Sequence, residues 1–168
     1  MSGLAASGKT AVAEPLAHVL GVPLISKDVI KEALFDALGF EGWARSKTLS
    51  RAADAAMVRV AQGLEAAVLD NFWYVETVDE LLAPLPRPMV EVFCRCGPDV
   101  AFERFRRRDR HPGHADQERA AEWQRASFVD RSQKLPLRVL GPVVEVDTER
   151  PVDIASVAAR VLEAAAQT

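Results

Sequence analysis

The chain has 168 residues, 49% of them hydrophobic and 27% charged, with a formal net charge of −3. This is the composition of a globular domain with a sizeable core rather than of a disordered segment, and the negative balance argues against a nucleic-acid coat or a binder of anionic membranes. No apolar run approaches a membrane span and no signal peptide is visible, so the expectation is a single cytoplasmic domain over residues 1–168 with neither nucleic-acid nor membrane partners.

The first element is a motif. Gly3-Leu4-Ala5-Ala6-Ser7-Gly8-Lys9-Thr10 fits G-x-x-x-x-G-K-[ST], the phosphate-binding P-loop. Gly3 and Gly8 let the backbone curl so that the N–H groups of the loop, Ala5, Ala6 and Ser7 included, turn towards phosphate oxygens. Lys9 supplies a flexible point charge for the β- and γ-phosphates, and Thr10 offers its hydroxyl to Mg²⁺. Val12, Leu16 and Val19-Leu20 follow at helical spacing, so the loop opens onto a helix N-terminus whose partial positive charge favours anions. ATP and Mg²⁺ are the ligands this motif implies. A P-loop ordinarily follows a buried strand, and only Met1 and Ser2 precede Gly3. Either that strand is missing, through truncation or a misplaced start, or another segment takes its place.

After the first helix (about 8–20), closed by Gly21, Pro23–Ser26 reads as a short buried strand that ends at Lys27-Asp28. Residues 29–38 carry a helical apolar pattern ended by Gly39. Residues 40–48 are expected to be a loop carrying Trp43, and the alanine-rich stretch 49–62 another helix. Ala66–Asp70 suits a buried parallel strand with an acid at its carboxyl end, and a short helix over 77–82 is cut off by Pro84, Pro86 and Pro88. Met89–Cys94 is the next strand, and Asp99–Arg108 a helix with a dense basic end. A turn at His111–His114, a helix over 117–132 with Trp123 and Phe128, a strand over 143–147 and a closing helix over 152–165 complete the chain. Cys94 and Cys96 are the only cysteines; two apart on a strand they share a face, and they read as reduced core residues rather than a metal or redox site. His111 and His114 lack a nearby partner in sequence that would make them a metal pair, and His18 reads as structural.

Strands alternating with helices imply βαβ units and a parallel sheet, with ligands beyond the carboxyl ends of the strands. The P-loop, Asp28 and Asp70 all fall at that edge. Asp28 would face the γ-phosphate, accept the proton of a substrate hydroxyl and hold it in line, or it is an N-cap of the helix that follows. Asp70 would order Mg²⁺, or it is a solvated turn residue. Arg104, Arg106, Arg107, Arg108 and Arg110 are either a solvated helix end favoured by the helix dipole or the cations of a lid at about 104–118 that closes over the γ-phosphate.

With these blocks in hand, the chain resembles the bacterial P-loop small-molecule kinases often labelled AAA family ATPases, relatives of chloramphenicol phosphotransferase, the zeta toxins and the polynucleotide 5′-kinases. The likeness rests on GLAASGKT at 3–10, LISKDVIKEALFDALG at 24–39, VLDNF at 68–72, VEVFCRC at 90–96, ERFRRR leading to RHPGH at 103–114, and VVEVDT at 143–148. The resemblance implies a nucleoside-monophosphate-kinase-like three-layer α/β/α fold with a parallel sheet. It also implies that Asp28 acts on the acceptor hydroxyl, that the lid spacing Arg-x-x-x-Arg falls on Arg104 and Arg108, and that Lys31, Phe35 and Trp43 belong to the acceptor pocket. Asn71 stands where many such motifs carry a second aspartate, so steady hydrolysis of the mechanical AAA type is not expected. The expected activity is transfer of the ATP γ-phosphate to a hydroxyl of a small molecule; the alternative is a nucleotide-binding protein without turnover, a regulatory binder or an inactive truncated fragment. The acceptor and the oligomeric state are not legible.

Overall fold

A computed structural model describes residues 1–86, 88–114, 121–138 and 141–167, with the backbone alone at 121–123. Strands β1 (Leu24–Ser26) and β2 (Val68–Asp70) pair in parallel, with Ser26 opposite Asp70. Strands β3 (Glu91–Arg95) and β4 (Val143–Asp147) form a second parallel pair, from Glu91 opposite Val143 to Arg95 opposite Asp147. Between the two pairs lie Met1 and Ser2. The Ser2 N–H donates to the Val92 carbonyl at 2.9 Å, and the Cys94 N–H donates to the Ser2 carbonyl at 2.9 Å. The Met1 ammonium donates to the Leu69 carbonyl on the other side at 2.7 Å. The spatial order is therefore β1, β2, Met1-Ser2, β3, β4. Among the described residues, Met1 and Ser2 stand in the place between β2 and β3 where the strand before the P-loop is expected.

Seven helices surround this sheet among the described residues: α1 (Lys9–Leu20), α2 (Lys27–Leu38), α3 (Gly42–Ala61), α4 (Val78–Leu82), α5 (Pro98–Arg107), α6 (Ala121–Ser132) and α7 (Ile154–Ala166). On one face Val12 and Leu16 of α1 and Val157 and Ala158 of α7 pack against Val92, Cys94, Val144 and Val146. On the other, Met57, Val58 and Ala61 of α3 and Val78 and Leu82 of α4 pack with Ile25 of β1. Apolar side chains on both faces of short parallel strands are what a doubly covered sheet requires, and they make the three-layer α/β/α arrangement. A further cluster joins Leu4 of the P-loop to Ala101 and Phe102 of α5 and Phe128 of α6.

Two expectations change. Helix α2 starts at Lys27 with Ser26 at its N-cap, so Asp28 sits inside the first turn and is not the cap; β1 runs into the helix without a loop. Helix α3 begins at Gly42 and absorbs the predicted loop. The reason is tertiary, since Ser46 and Leu49 are buried and the Ser46 hydroxyl donates to the Gly113 carbonyl at 2.8 Å. His18 lies exposed in the last turn of α1. Residues 117–120 of the predicted sixth helix and 115–118 of the predicted lid lie outside the described residues. No described helix is long and apolar enough to cross a membrane.

Candidate active site

The P-loop leaves Ser2 at the carboxyl edge of the sheet and turns back into α1. Gly3 adopts φ 139°, Ala6 φ 57° and Gly8 φ 85°. A Cβ at Gly3 would lie 2.5 Å from Ser7 Oγ and 2.7 Å from the Cys94 carbonyl, so only glycine lets the loop press this closely on β3. The result is a backbone concavity capped by the N-terminus of α1, a geometry suited to phosphate.

Beyond it opens a cavity of about 480 Å³ lined by Ala5, Ala6, Gly8, Lys9, Thr10, Asp28, Asp70, Arg104 and Arg108 among others. The structure thus brings together most of the residues singled out from the sequence. Gly3 and Ser7 lie beneath the surface of the loop instead; the Ser7 hydroxyl is buried and finds no hydrogen-bond partner among the described residues. Lys9 Nζ donates to the Leu4 carbonyl at 2.6 Å and to the Gly3 carbonyl at 3.3 Å, so its charge is held by the carbonyls of its own loop. Burial pushes its pKa from 10.5 down to about 8, and the charge of Asp70 opposes that shift.

Thr10 Oγ1 donates to Asp70 Oδ2 at 2.6 Å. Asp70 closes β2 and is buried, which excludes the solvated-turn alternative. A hydroxyl and a carboxylate in contact beside a phosphate cradle form the hard-oxygen donor set that Mg²⁺ accepts when it keeps several waters and phosphate oxygens. Among the described residues no group of three or more His, Cys, Asp or Glu could hold a metal by itself.

Asp28 is 54% exposed and faces the cavity from the first turn of α2. Burial pushes its carboxyl up, but Arg110, with His114 and Arg108, outweighs this and holds it below the ordinary carboxylate range. Arg110 donates to Asp28 Oδ2 at 2.5 Å. The rest of the arginine cluster divides by direction. Arg106 and Arg107 point to solvent beside Glu103 at 3.9 and 3.7 Å. Arg104 donates to the Thr148 carbonyl at 3.2 Å, and Arg108 lies 4.6 Å from the centre of the Phe105 ring.

Acids at successive turns of α2 hold the segment after α5: Asp28 to Arg110, Glu32 to His114 at 2.9 Å, and Asp36 to His111 at 3.1 Å. The histidines thus have carboxylate partners that their sequence neighbourhood does not reveal. Phe35 of α2 is 1% exposed, stacks on His111 with centroids 5.2 Å apart and meets His114 edge-on at 5.5 Å. Burial lowers the pKa of His114. Lys31, Phe35 and Trp43 are brought to one region, although only Lys31 and Trp43 line the cavity.

Three residues of this site escaped the sequence reading. Lys27 is buried and pairs with Asp54 of α3 at 2.8 Å, and Asp54 also accepts from Asn71 Nδ2 at 2.9 Å. The available signal was a lone acid on the apolar, alanine-rich face of the third helix. Arg131 of α6 donates to the Trp73 carbonyl and stacks 3.7 Å from the centre of the Phe72 ring; burial lowers its pKa to about 10.

Residues 1–130 match the model of a family described as AAA domain. The chain belongs to that family. A solved structure of a candidate kinase from Chloroflexus aurantiacus superposes with a TM-score of 0.80 at 27% identity, covering 97% of this chain and 96% of that one. Shikimate kinase from Bacteroides thetaiotaomicron superposes with a TM-score of 0.60 at 21% identity, over 96% of this chain and 94% of that one, and carries the likeness of fold alone. The adenylyl-sulfate kinase of Chloroflexus aurantiacus is 34% identical over 108 residues, 61% of this chain and 58% of that protein, so the match spans little more than half of that relative. The AAA domain of this chain is built as a P-loop kinase fold.

Proposed function

We propose that this chain is an ATP-dependent kinase that transfers the γ-phosphoryl group to a hydroxyl of a small molecule. The observation that carries the proposal is the Thr10–Asp70 contact at 2.6 Å in the same cavity as Lys9 and Asp28. The P-loop amides and the α1 N-terminus bind the phosphates, with Lys9 leaving its own carbonyls for phosphate oxygens. Gly3 sets the curl of the loop, and Ala5, Ala6, Ser7 and Gly8 supply its backbone. Mg²⁺, held by Thr10 and Asp70 together with the phosphates, would neutralise the charge that develops on transfer. Asp28 accepts the acceptor hydroxyl's proton and orients its oxygen for in-line attack. Arg104 and Arg108 meet the charge on the transferred group as cations of a lid that includes the end of α5 and the segment to His114, in a single domain. The free, buried thiols of Cys94 and Cys96 suit a reducing, cytoplasmic setting.

The Arg110–Asp28 pair favours a second reading. If that ion pair never opens, the site binds nucleotide without transferring phosphate. Radiolabelled γ-phosphate transfer to a panel of hydroxyl compounds, starting with adenylyl sulfate and shikimate, separates the two. The wild-type chain phosphorylates a panel member, and Asp28→Asn loses about 10²–10⁴-fold of that rate while calorimetry shows Mg·ATP binding nearly intact. Equal loss of transfer and binding would remove Asp28 from the base role, and absence of transfer with intact binding would favour the binder.

A further inference from the structure

One acid beside the site has no part in the chemistry assigned above. Asp54 of α3 does not line the cavity, whereas its two partners, Lys27 and Asn71, do. Its carboxylate uses both oxygens on them: Oδ2 accepts from Lys27 Nζ at 2.8 Å, and Oδ1 accepts from Asn71 Nδ2 at 2.9 Å. Lys27 and Asn71 are 5% and 4% exposed. Asn71 Oδ1 is buried and makes no hydrogen bond among the described residues, so this amide is held from the Asp54 side.

Both partners are chain neighbours of the two acids in the site. Strands β1 and β2 end in register, Ser26 opposite Asp70; Lys27 then leads directly into Asp28, and Asn71 directly follows Asp70. One carboxylate from α3 therefore ties together the two strand ends that carry Asp28 and Asp70. The helix is fixed in rotation, since Ala53 and Met57 are fully buried and Met57, Val58 and Ala61 pack with Ile25 of β1. Charge adds a second constraint. Lys27 is a cation in the first turn of α2, where it opposes the helix dipole, and a buried ammonium needs an anion. Without Asp54 the carboxylates at hand are Asp28, next in the chain, and Asp70, opposite the residue before. Either pairing would occupy an oxygen that the acceptor hydroxyl or the metal requires.

We propose that Asp54 is a positioning residue, which fixes the separation of Asp28 and Asp70 and keeps the Lys27 charge off both. The inference rests on the kinase reading for the roles of those two acids. Groups that orient metal-binding side chains from behind typically carry about 10–100-fold of metal affinity or activity. Stability alone is a weak reason for this arrangement, because a buried ion pair can often be replaced by apolar side chains without loss.

The test is calorimetric ATP binding over a Mg²⁺ series, with thermal unfolding, for the wild-type chain, Asp54→Asn and the double variant Lys27→Met/Asp54→Leu. Asp54→Asn is expected to need about 10–100-fold more Mg²⁺ for half of the magnesium-dependent gain in ATP binding, with binding in chelator unchanged. The double variant replaces the ion pair by apolar side chains; it should melt within about 3 °C of wild type and keep the magnesium defect. With an acceptor that the wild type phosphorylates, kcat of Asp54→Asn should fall at saturating Mg²⁺ while KM for ATP holds. A wild-type magnesium response in Asp54→Asn would overturn the proposal. So would a double variant that regains stability and magnesium response together, since Asp54 would then serve the core alone. Should Asp54→Asn fail to fold, the double variant decides by the same two readouts. A wild-type chain that binds Mg·ATP but phosphorylates no acceptor would defeat the kinase reading, and the magnesium comparison would still judge Asp54.

Discussion

Lys9 is a buried cation whose titration can be followed in folding and in binding. Its folded pKa is about 8, against about 10.4 for the same side chain in an unfolded peptide. Between those values the unfolded state holds more protons than the native state, so stability rises with pH in that window and the penalty is fully present below about pH 8. At 1.36 kcal/mol per pKa unit the whole depression corresponds to about 3 kcal/mol, of which about 1.3 kcal/mol is recovered between pH 7 and pH 9. Urea unfolding of the wild-type chain and Lys9→Met at pH 7, 8 and 9 isolates this contribution, because Met1 and Cys94, which also carry shifted pKa values, are common to both. The wild-type curve should gain on the variant by about 1.3 kcal/mol across the range. Phosphate oxygens in place of carbonyls would hold the proton on Lys9, so Mg·ATP affinity should fall above about pH 8, by at most about tenfold per unit. Parallel stability profiles for wild type and Lys9→Met would refute the burial argument, and a pH-independent ATP affinity would refute the role of the charge.

Thr10→Ala and Asp70→Ala should each weaken ATP binding in Mg²⁺, and the double variant should lose less than the sum by about 0.5–3 kcal/mol, because the two side chains are in contact. Calorimetry with Mg²⁺ and with a chelator decides this; additive losses, or losses that persist without Mg²⁺, would separate the pair from the metal. Phe35→Ala removes the ring that packs on His111 and His114 and should cost about 3–5 kcal/mol in urea unfolding. A cost under about 1 kcal/mol would mean that the segment after α5 does not depend on this packing.

The residues that proved legible in the sequence share a feature: their geometry is decided within a few neighbours. The P-loop is contiguous, and its glycines, lysine and threonine sit at one helix start whatever the rest of the chain does. Asp70 was legible because an acid that ends an apolar strand can only lie at the sheet edge. The last strand was read with the bounds the structure gives, Val143–Asp147, since the alternation of its burial is printed in its residues. Helix α3 was cut short in the reading because Trp43 to Thr48 carries no strong local pattern, and its helical state depends on Ser46 reaching Gly113 across the fold.

Sequence by itself therefore determined the class of fold, the glycine-bearing loop that opens onto α1 and some of the charged side chains gathered beside it, Lys9, Asp28 and Asp70 among them, because short-range backbone chemistry and apolar periodicity suffice for those. Only the tertiary structure decided which charges neutralise one another. Lys27 finds Asp54 across 27 positions and Asn71 finds Asp54 across 17, while Asp28 meets Arg110 across 82. Such pairings follow from how helices pack on the sheet, and no spacing in the chain encodes them. The place of Met1 and Ser2 belongs with them: two residues carry no strand signal, yet the open ladder positions of Leu69, Val92 and Cys94 draw them into the centre of the sheet, where unpaired backbone groups would otherwise be buried.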